Sequence, residues 1–459
     1  MLSFLSLRKF GTVVLEYAML AGLILYVWLV SLQDSVAQPP HVGLIAFKAL
    51  CIAMIFQIFL HLSDARDYRR TRRLSASMMR VAKALLLASL TLWASCLLFP
   101  HLLVGHETLA RILVASSVFL VAWYALVRCY FHSRVPRSNI VLLGTGRLAR
   151  ELVREILRRP ELGIGVSGFL GDDPALVGVS IVNPKVIGLY GELQRIVSTE
   201  KVDRVVVELE NRRGQLPIDA LLKLKTQNIR VEEAASLYER VTGKIAVENL
   251  KPSWMIFNPG FELSRRHARA ARILSVLLSL TALLILSPVI LPVMILIRLD
   301  SPGPVFFRQE RVGRNGKPFI LWKFRSMCMH AERETGPVWA KRNDPRVTRL
   351  GRFLRRSRLD EVPQLYNVLH GDMSLIGPRP ERPGFVKELC ATTPYYKIRH
   401  AVMPGLTGWA QINYAYANSI EDSVEKLQYD LFYVKHRSIA LDLIIAFETI
   451  KTILVRPGS

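Results

Sequence analysis

The sequence is poor in cysteine, in acidic residues and in charge as a whole. Its five cysteines, Cys51, Cys96, Cys129, Cys328 and Cys390, are odd in number, far apart and mostly inside apolar runs. That pattern excludes a disulfide framework and a zinc site built on paired ligands. Charged residues fill only 21% of the 459 positions while apolar types fill 51%, so the chain is neither disordered nor collagen-like. Carboxylates are outnumbered 37 to 61 by lysine and arginine, leaving a formal charge of +24. Such a surplus calls for an acidic partner: nucleic acid, anionic lipid or a phosphorylated substrate. Composition does not choose among these, but the positions of the basic residues do.

Mean hydropathy is +0.26, high for a wholly soluble protein. Four apolar stretches open the chain, roughly Gly11 to Leu32, Val42 to Leu62, Val81 to Val104 and Leu109 to Tyr130. Each reaches the roughly 20 residues that a spanning helix needs. No small-residue cleavage site follows the first, and three more runs come after it, which argues against a signal peptide. Arg8 and Lys9 precede the first run, and Arg66, Arg69, Arg70, Arg72, Arg73 and Arg80 lie between the second and third, whereas the loops from Ser31 to Gly43 and Phe99 to Ala110 have no Lys or Arg. The positive-inside tendency therefore puts both ends of a four-helix transmembrane bundle in the cytoplasm. Glu16 and Lys48 interrupt the runs and are expected to snorkel.

A fifth run, Ile273 to Ile297, is uncharged and has arginines on both flanks: Arg265, Arg266, Arg269 and Arg272 before it, Arg298, Arg308, Arg311 and Arg314 after it. Ser287-Pro288 sits near its middle. Proline removes a backbone donor there, and serine can satisfy the freed carbonyl. The expectation is a re-entrant helix that enters the membrane, turns at Ser287-Pro288 and leaves by the same face.

After a basic joint (Arg128, Arg134, Arg137) the pattern becomes βαβ. Asn139 to Leu143 reads as a buried strand and Leu148 to Arg158 as a helix, joined by Gly144-Thr-Gly146-Arg-Leu-Ala149. A G-x-G-x-x-A turn in that context predicts a Rossmann-like domain, with Gly144, Gly146 and Ala149 as a candidate nucleotide turn. The acidic partner expected about 20 residues on would be Asp172 or Asp173, but Gly171 and Pro174 make that segment look like a turn. A regulatory or structural role is favoured over nucleotide binding.

From Arg298 to Glu381 there are 17 basic residues against 9 acidic ones. The arginines do not form a simple basic helix or arm; they surround turns and two acidic pairs, which suggests a phosphate pocket rather than a nucleic-acid surface. Gln309 to Phe324 reads as a hairpin around Asn315-Gly316. Asp360-Glu361 is expected to open a helix that Gly371 ends, with Asp360 as N-cap. A carboxylate there stays ionised and can attack phosphorus, and Glu361 can hold a hard cation. Gly377-Pro-Arg379-Pro makes a stiff loop presenting one guanidinium suited to phosphate. Ordinary helix capping and a surface turn are the plain alternatives for these two motifs taken singly.

Taken in order, Lys323-Phe-Arg325-Ser-Met, Asn343-Asp-Pro-Arg346-Val-Thr, Leu359-Asp360-Glu361-Val-Pro-Gln, Gly371-Asp-Met-Ser, Gly377-Pro-Arg379-Pro-Glu and Pro404-Gly-Leu-Thr-Gly-Trp-Ala-Gln resemble the bacterial sugar transferases known as large monotopic phosphoglycosyl transferases of exopolysaccharide biosynthesis. His370 stands where that family usually has Arg, and Tyr414 where Gly is common. The resemblance implies transfer of a sugar 1-phosphate from a UDP-sugar donor to polyprenyl (undecaprenyl) phosphate, with release of UMP. It implies Asp360 as nucleophile in a covalent phosphosugar route, and Glu361 as ligand of Mg²⁺ or, in its place, Mn²⁺. It also implies Lys323, Arg325, Arg346 and Arg379 at the substrate phosphates, the helix break at Ser287 and Pro288 as membrane anchor, and a homodimer. The fold class expected is a membrane protein of α plus α/β type: a four-span bundle over residues 1–132, a Rossmann-like cytoplasmic domain over 133–260, and a re-entrant helix with a mainly helical catalytic domain over 261–459. Its expected place is the bacterial cytoplasmic (inner) membrane, multi-pass, catalytic domain facing the cytoplasm, in contact with membrane lipids and not with nucleic acid. The final helix, Ile439 to Val455, is expected at the membrane surface. The competing functional reading is a non-enzymatic, nucleotide-sensing membrane regulator of polysaccharide synthesis.

Overall fold

A computed structural model describes residues 5–33, 42–65, 74–98, 104–133, 138–159, 162–208, 216–249, 255, 260–261, 264–329, 344–414 and 419–455. The chain divides into two compact units, residues 1–237 and 238–459. It is mostly helical, with several apolar helices and, among the described residues, a five-stranded parallel sheet.

The first unit begins with α1 (Leu5–Gln33), α2 (Val42–Leu62), α3 (Leu74–Leu98) and α4 (His106–Ser133). All four are long and apolar enough to cross a membrane. Ile24, Ile52, Phe56, Leu92, Leu109 and Leu120 form a buried seam, yet Tyr26, Phe47, Leu86, Val114 and Val118 point outward. A helix that is apolar all round has lipid or protein on every side, not water. Of the third apolar run, the structure describes helix as far as Leu98; residues 99–103 lie outside the described residues. Glu16 departs from expectation: it is buried and accepts a hydrogen bond from Gln57 Nε2 at 3.0 Å inside the bundle. A neighbouring amide meets its need for a partner, so it does not snorkel. Lys48 Nζ lies 6.0 Å from the Trp28 ring. The basic residues Arg66, Arg69, Arg70, Arg72, Arg73, Arg134 and Arg137 lie outside the described residues, as does Asn343.

The same unit contains five parallel strands in the order β3-β2-β1-β4-β5. They are β1 (Ser138–Leu143), β2 (Ile164–Gly171), β3 (Val186–Leu189), β4 (Arg204–Val207) and β5 (Arg230–Glu233). Helices α5 (Arg147–Leu157), α6 (Leu193–Thr199) and α7 (Ile218–Thr226) connect them. The order reverses between β1 and β4, the crevice where Rossmann-like sheets take ligands. Here the crevice holds a side chain of the protein itself. Gly146 N–H donates to Glu208 Oε2 at 3.0 Å, and a Cβ on Gly146 would lie 2.4 Å from that carboxylate. Gly144 has φ +123°, with Glu208 O where its Cβ would be. Ala149 is buried in α5. The turn's glycines thus make room for an internal anion. Asp173 caps the next turn through Ala175 N, as its neighbours Gly171 and Pro174 suggested.

The second unit takes in α8 residues from Tyr238 onward (α8, Ala234–Thr242). Glu239 receives Lys435 Nζ at 2.8 Å and also pairs with His436, and Trp409 Nε1 donates to Gly243 O at 2.8 Å. Helix α9 runs unbroken from Arg265 to Asp300 through Pro288 and Pro292. The expected interruption at Ser287-Pro288 is therefore not a loss of helix. Pro288 leaves the Leu284 carbonyl without its helical donor, and Ser287 Oγ–H supplies one at 2.8 Å. The early turns of α9 are fastened by Arg272, which donates to Val368 O and Leu369 O, and by Ser275 against Ser374. Its last carbonyls are fastened by Arg325. Between these anchors Leu280, Leu284, Ile285 and Leu291 are exposed.

The hairpin is β6 (Phe306–Val312) paired with β7 (Pro318–Phe324), antiparallel and in the expected place. After it come α10 (Arg349–Arg356), α11 (Gln364–His370), β8 (Ser374–Ile376), α12 (Pro383–Thr392), β9 (Gly405–Thr407), α13 (Trp409–Asn413), α14 (Ile420–His436) and α15 (Ile439–Val455). On α15, Asp442 is buried against Tyr433, while Leu443, Phe447 and Ile450 form an exposed apolar stripe.

Candidate active site

The site grows from a turn. Arg358 has φ 56°, in the left-handed region, and the chain passes through one 3₁₀ turn, Leu359–Glu361, before α11 starts. Asp360 is therefore not the N-cap of α11, a position that Pro363 takes. Asp360 is only 7% exposed, and among the described residues its carboxylate has neither a hydrogen bond nor an ion pair. Glu361 is the opposite case. Arg379 Nη2 donates to Glu361 Oε1, Lys323 Nζ lies 3.4 Å from the same oxygen, and Arg358 Nη1 is 3.8 Å from Oε2.

Burial raises the pKa of Asp360 and Glu361 adds to the rise, against the pull of Lys323, Arg355 and Arg379. Burial opposes the charge of Glu361 as well, but Arg379 and Lys323 outweigh it and hold that carboxyl far below the usual range. The two neighbours are pushed apart: one stays anionic inside ion pairs, while the other is a buried carboxylate with its lone pairs uncommitted. Lys323 is lowered, chiefly by burial, with Glu361 working the other way.

Arg379 rides on a loop stitched to the rest of the unit through its carbonyls. Prolines at 378 and 380 have no N–H to give. The Pro378 carbonyl accepts from Gly405 N at 2.9 Å, Arg379 O from Arg399 Nη2 at 2.8 Å, Pro380 O from Arg311 Nη1 at 3.0 Å and Glu381 O from Val312 N at 2.9 Å. Under the loop, β8 and β9 run parallel. A Cβ on Gly377 would lie 2.3 Å from Met403 O, one on Gly405 2.1 Å from Gly377 N, and one on Gly408 2.1 Å from Gly377 O. Backbone rests directly on backbone there.

Of the expected phosphate ligands, the fold brings Lys323 and Arg379 to the dyad. Arg325 is elsewhere: it is buried, and its guanidinium donates to Ile297 O, Ser301 O and Pro302 O at 3.2, 2.6 and 2.9 Å, closing the C-terminal end of α9. Ile297 O also accepts from Ser301 N at 3.4 Å, Ser301 O and Pro302 O lie just past the helix end, and a cation suits that end of the helix dipole. Arg346 forms a two-pronged pair with Asp344, Nε to Oδ1 at 2.8 Å and Nη2 to Oδ2 at 2.5 Å, which holds Asp344 at a pKa of about 2. The reading from sequence missed Arg355, whose positive charge acts on Asp360 and whose Nε donates to Ser326 Oγ at 2.9 Å. The one signal for it was an arginine-rich helical stretch ending directly before the dyad.

A divalent cation held by the protein alone does not suit this arrangement. Among the described residues no three His, Cys, Asp or Glu side chains are grouped to hold one, and Glu361 already faces three positive charges.

Comparison with known proteins bears on this geometry. A family model described as bacterial sugar transferase matches residues 266–456, and one described as CoA-binding domain matches residues 61–232. The chain is 32% identical over 356 residues to the UDP-glucose:undecaprenyl-phosphate glucose-1-phosphate transferase of Xanthomonas campestris pv. campestris, covering 74% of this chain and 72% of the relative. It is 40% identical over 240 residues to the UDP-N-acetylgalactosamine-undecaprenyl-phosphate N-acetylgalactosaminephosphotransferase of Aeromonas hydrophila, covering 52% of this chain and 56% of the relative. To the undecaprenyl-phosphate glucose phosphotransferase of Komagataeibacter xylinus it is 36% identical over 319 residues, covering 68% of this chain and 58% of that one. The chain thus spans little more than half the length of the Aeromonas protein.

Proposed function

Because the chain belongs to the bacterial sugar transferase family, we propose that it transfers a sugar 1-phosphate from a UDP-sugar to undecaprenyl phosphate, releasing UMP, as the first membrane step of exopolysaccharide assembly. The observation that carries this reading is the buried, uncommitted carboxylate of Asp360 beside Lys323, Arg355 and Arg379. An Asp360 oxygen attacks the sugar-bearing phosphorus of the donor, and the bond from that phosphorus to the bridging oxygen breaks. UMP departs with that oxygen and the electron pair, leaving an aspartyl phosphosugar. An oxygen of the lipid phosphate then attacks the same phosphorus, and the Asp360 carboxylate is released unchanged. Lys323 and Arg379 balance charge on the diphosphate. Any requirement for Mg²⁺ or Mn²⁺ is assigned to the donor diphosphate, not to a cation resident on Glu361. Purified protein with a panel of UDP-sugars and undecaprenyl phosphate tests the reading: UMP release that depends on one donor supports it, and none with any donor sinks it.

In the same reading α1 to α4 span the bacterial cytoplasmic membrane with the catalytic unit in the cytoplasm, and α15 lies on the membrane surface. The Rossmann-like domain has a structural or regulatory role, and a homodimer is proposed from the resemblance alone. Helix α9 is proposed to be re-entrant, on the grounds that both its ends are fastened to the second unit while its middle is apolar and exposed. Single cysteines near Arg265 and Arg308 should then react with an impermeant reagent from the same side of the membrane. Labelling from opposite sides would overturn it.

The rate should follow a bell in pH. Asp360 attacks as the anion, and its raised pKa puts the acid limb of kcat/KM above the ordinary Asp value of about 3.9. Lys323 holds phosphate as the cation, and its lowered pKa puts the alkaline limb below about 10.4. An acid limb at or below the ordinary Asp value would count against Asp360.

A further inference from the structure

Arg399 belongs to no motif that the transfer chemistry uses directly, yet it is one of the most enclosed cations in the second unit, 6% exposed. It lies in the 3₁₀ segment Tyr396–Ala401 between α12 and β9. Its partner is Asp430 on α14, 2% exposed, with Nη2 to Oδ2 at 2.8 Å. Nη1 donates to Tyr396 Oη at 2.5 Å, and the guanidinium lies 5.1 Å from that ring. Taking two full charges out of water is expensive, and a pair of apolar residues of similar volume often stabilises a fold as well or better. The pair therefore calls for a reason other than stability.

The reason is the third contact. Arg399 Nη2, besides reaching Asp430, donates to the backbone carbonyl of Arg379 at 2.8 Å. Of the four consecutive carbonyls that tether the loop, this is the one on the residue whose side chain meets Glu361. Backbone N–H groups of Gly405 and Val312 tether positions 378 and 381, and the Arg311 side chain tethers 380. Between two prolines, position 379 has no other fixed donor aimed at its carbonyl among the described residues. A small cleft lined in part by Pro378, Pro380, Arg399 and His400 borders the loop.

We infer that Arg399, locked by Asp430, is a positioning residue that fixes the main chain at Arg379 and so sets where the Arg379 guanidinium meets Glu361 and the reacting phosphates. This rests on the transferase reading for its catalytic consequence, not for its structural one. A shift of about 1 Å in such a group can cost on the order of 100-fold in rate.

The test replaces the ion pair by an apolar pair, Arg399→Met with Asp430→Leu, in the full chain in lipid nanodiscs, with Arg399→Lys as a second variant. The double variant should keep its unfolding midpoint within a few degrees of the natural protein, because the two opposite buried charges are removed together. Hydrogen exchange at the Gly405 and Val312 amides, which hold the loop on either side, should rise about tenfold. In the transfer assay kcat should fall about 10- to 100-fold while KM for the donor stays within about threefold. Arg399→Lys, which keeps a donor and a charge but loses the fork, should recover part of both. Unchanged exchange in a folded double variant overturns the inference whatever the activity does, and so does natural kcat in that variant. If the natural protein transfers no sugar phosphate from any donor, the transferase reading fails, and the exchange result still decides the role of Arg399 in holding the loop.

Discussion

Asp360→Asn is expected to lower turnover by on the order of 10⁴-fold or more, the scale seen when a covalent nucleophile is removed, while leaving the folded protein more stable. An amide has no negative charge with which to attack phosphorus, and its nitrogen is delocalised into its carbonyl. The gain in stability follows from burial. In the unfolded chain Asp360 loses its proton near the ordinary carboxyl value, whereas in the folded chain its pKa is raised. Between the two values the native state holds more protons, so stability falls as pH rises, and the buried carboxyl is a net cost that asparagine removes. Loss of function with a higher unfolding midpoint would mark a site where stability is given up for chemistry. With UDP-sugar and no lipid acceptor, the natural protein should release about one UMP per chain and keep the phosphosugar on Asp360, to be located by peptide mass spectrometry. An adduct on another residue, or an Asn variant within tenfold of natural turnover, would refute the assignment.

Arg379→Ala should cost about 10²- to 10³-fold in kcat, the usual price of deleting one preorganised donor at a developing charge. It should also destabilise the fold by up to about 3 kcal/mol, because Glu361 loses its strongest partner while Lys323 and Arg358 remain. Arg379→Lys separates the two effects. A lysine restores a positive charge for Glu361, and with it most of the stability, but not the planar fork. The lysine variant should therefore melt close to the natural protein and still turn over at least about tenfold more slowly. Natural turnover in the alanine variant, in donor titrations run to saturation, would remove Arg379 from the mechanism.

The parts of this molecule that were legible in sequence are those with local causes. Apolar runs, the Asn315-Gly316 turn, Gly371 after α11 and the bounds of α15 all appear where short-range rules put them. Where the structure departs from such rules, it departs in direction. Alternation along a strand would put Arg325 on the same side as Lys323, but β7 ends at Phe324 and the side chain turns to the carbonyl end of α9. Arg346 lies two residues from Asp344 and pairs with it before any distant ligand can compete. Asp360 looked like a cap because acids before helices usually are; the left-handed Arg358 inserts a 3₁₀ turn and frees the carboxylate. Arg399 and Asp430 were beyond reach, since nothing in a sequence announces that two charges 31 positions apart will be buried together.

The backbone-on-backbone packing of Gly377, Gly405 and Gly408 has a consequence for how such a protein can diversify. Where a methyl group would already collide with main chain, no substitution can be sampled without moving the loop that carries Arg379. These three positions are closed to mutational drift, and with them the distance from the phosphate-handling arginine to the dyad. New donor preferences therefore have to arise on segments that can accept side chains of different size without disturbing that distance. Selectivity swaps between proteins of this architecture should succeed when surface loops around the site are exchanged, and should fail when the exchange crosses residues 374–381 or 403–411.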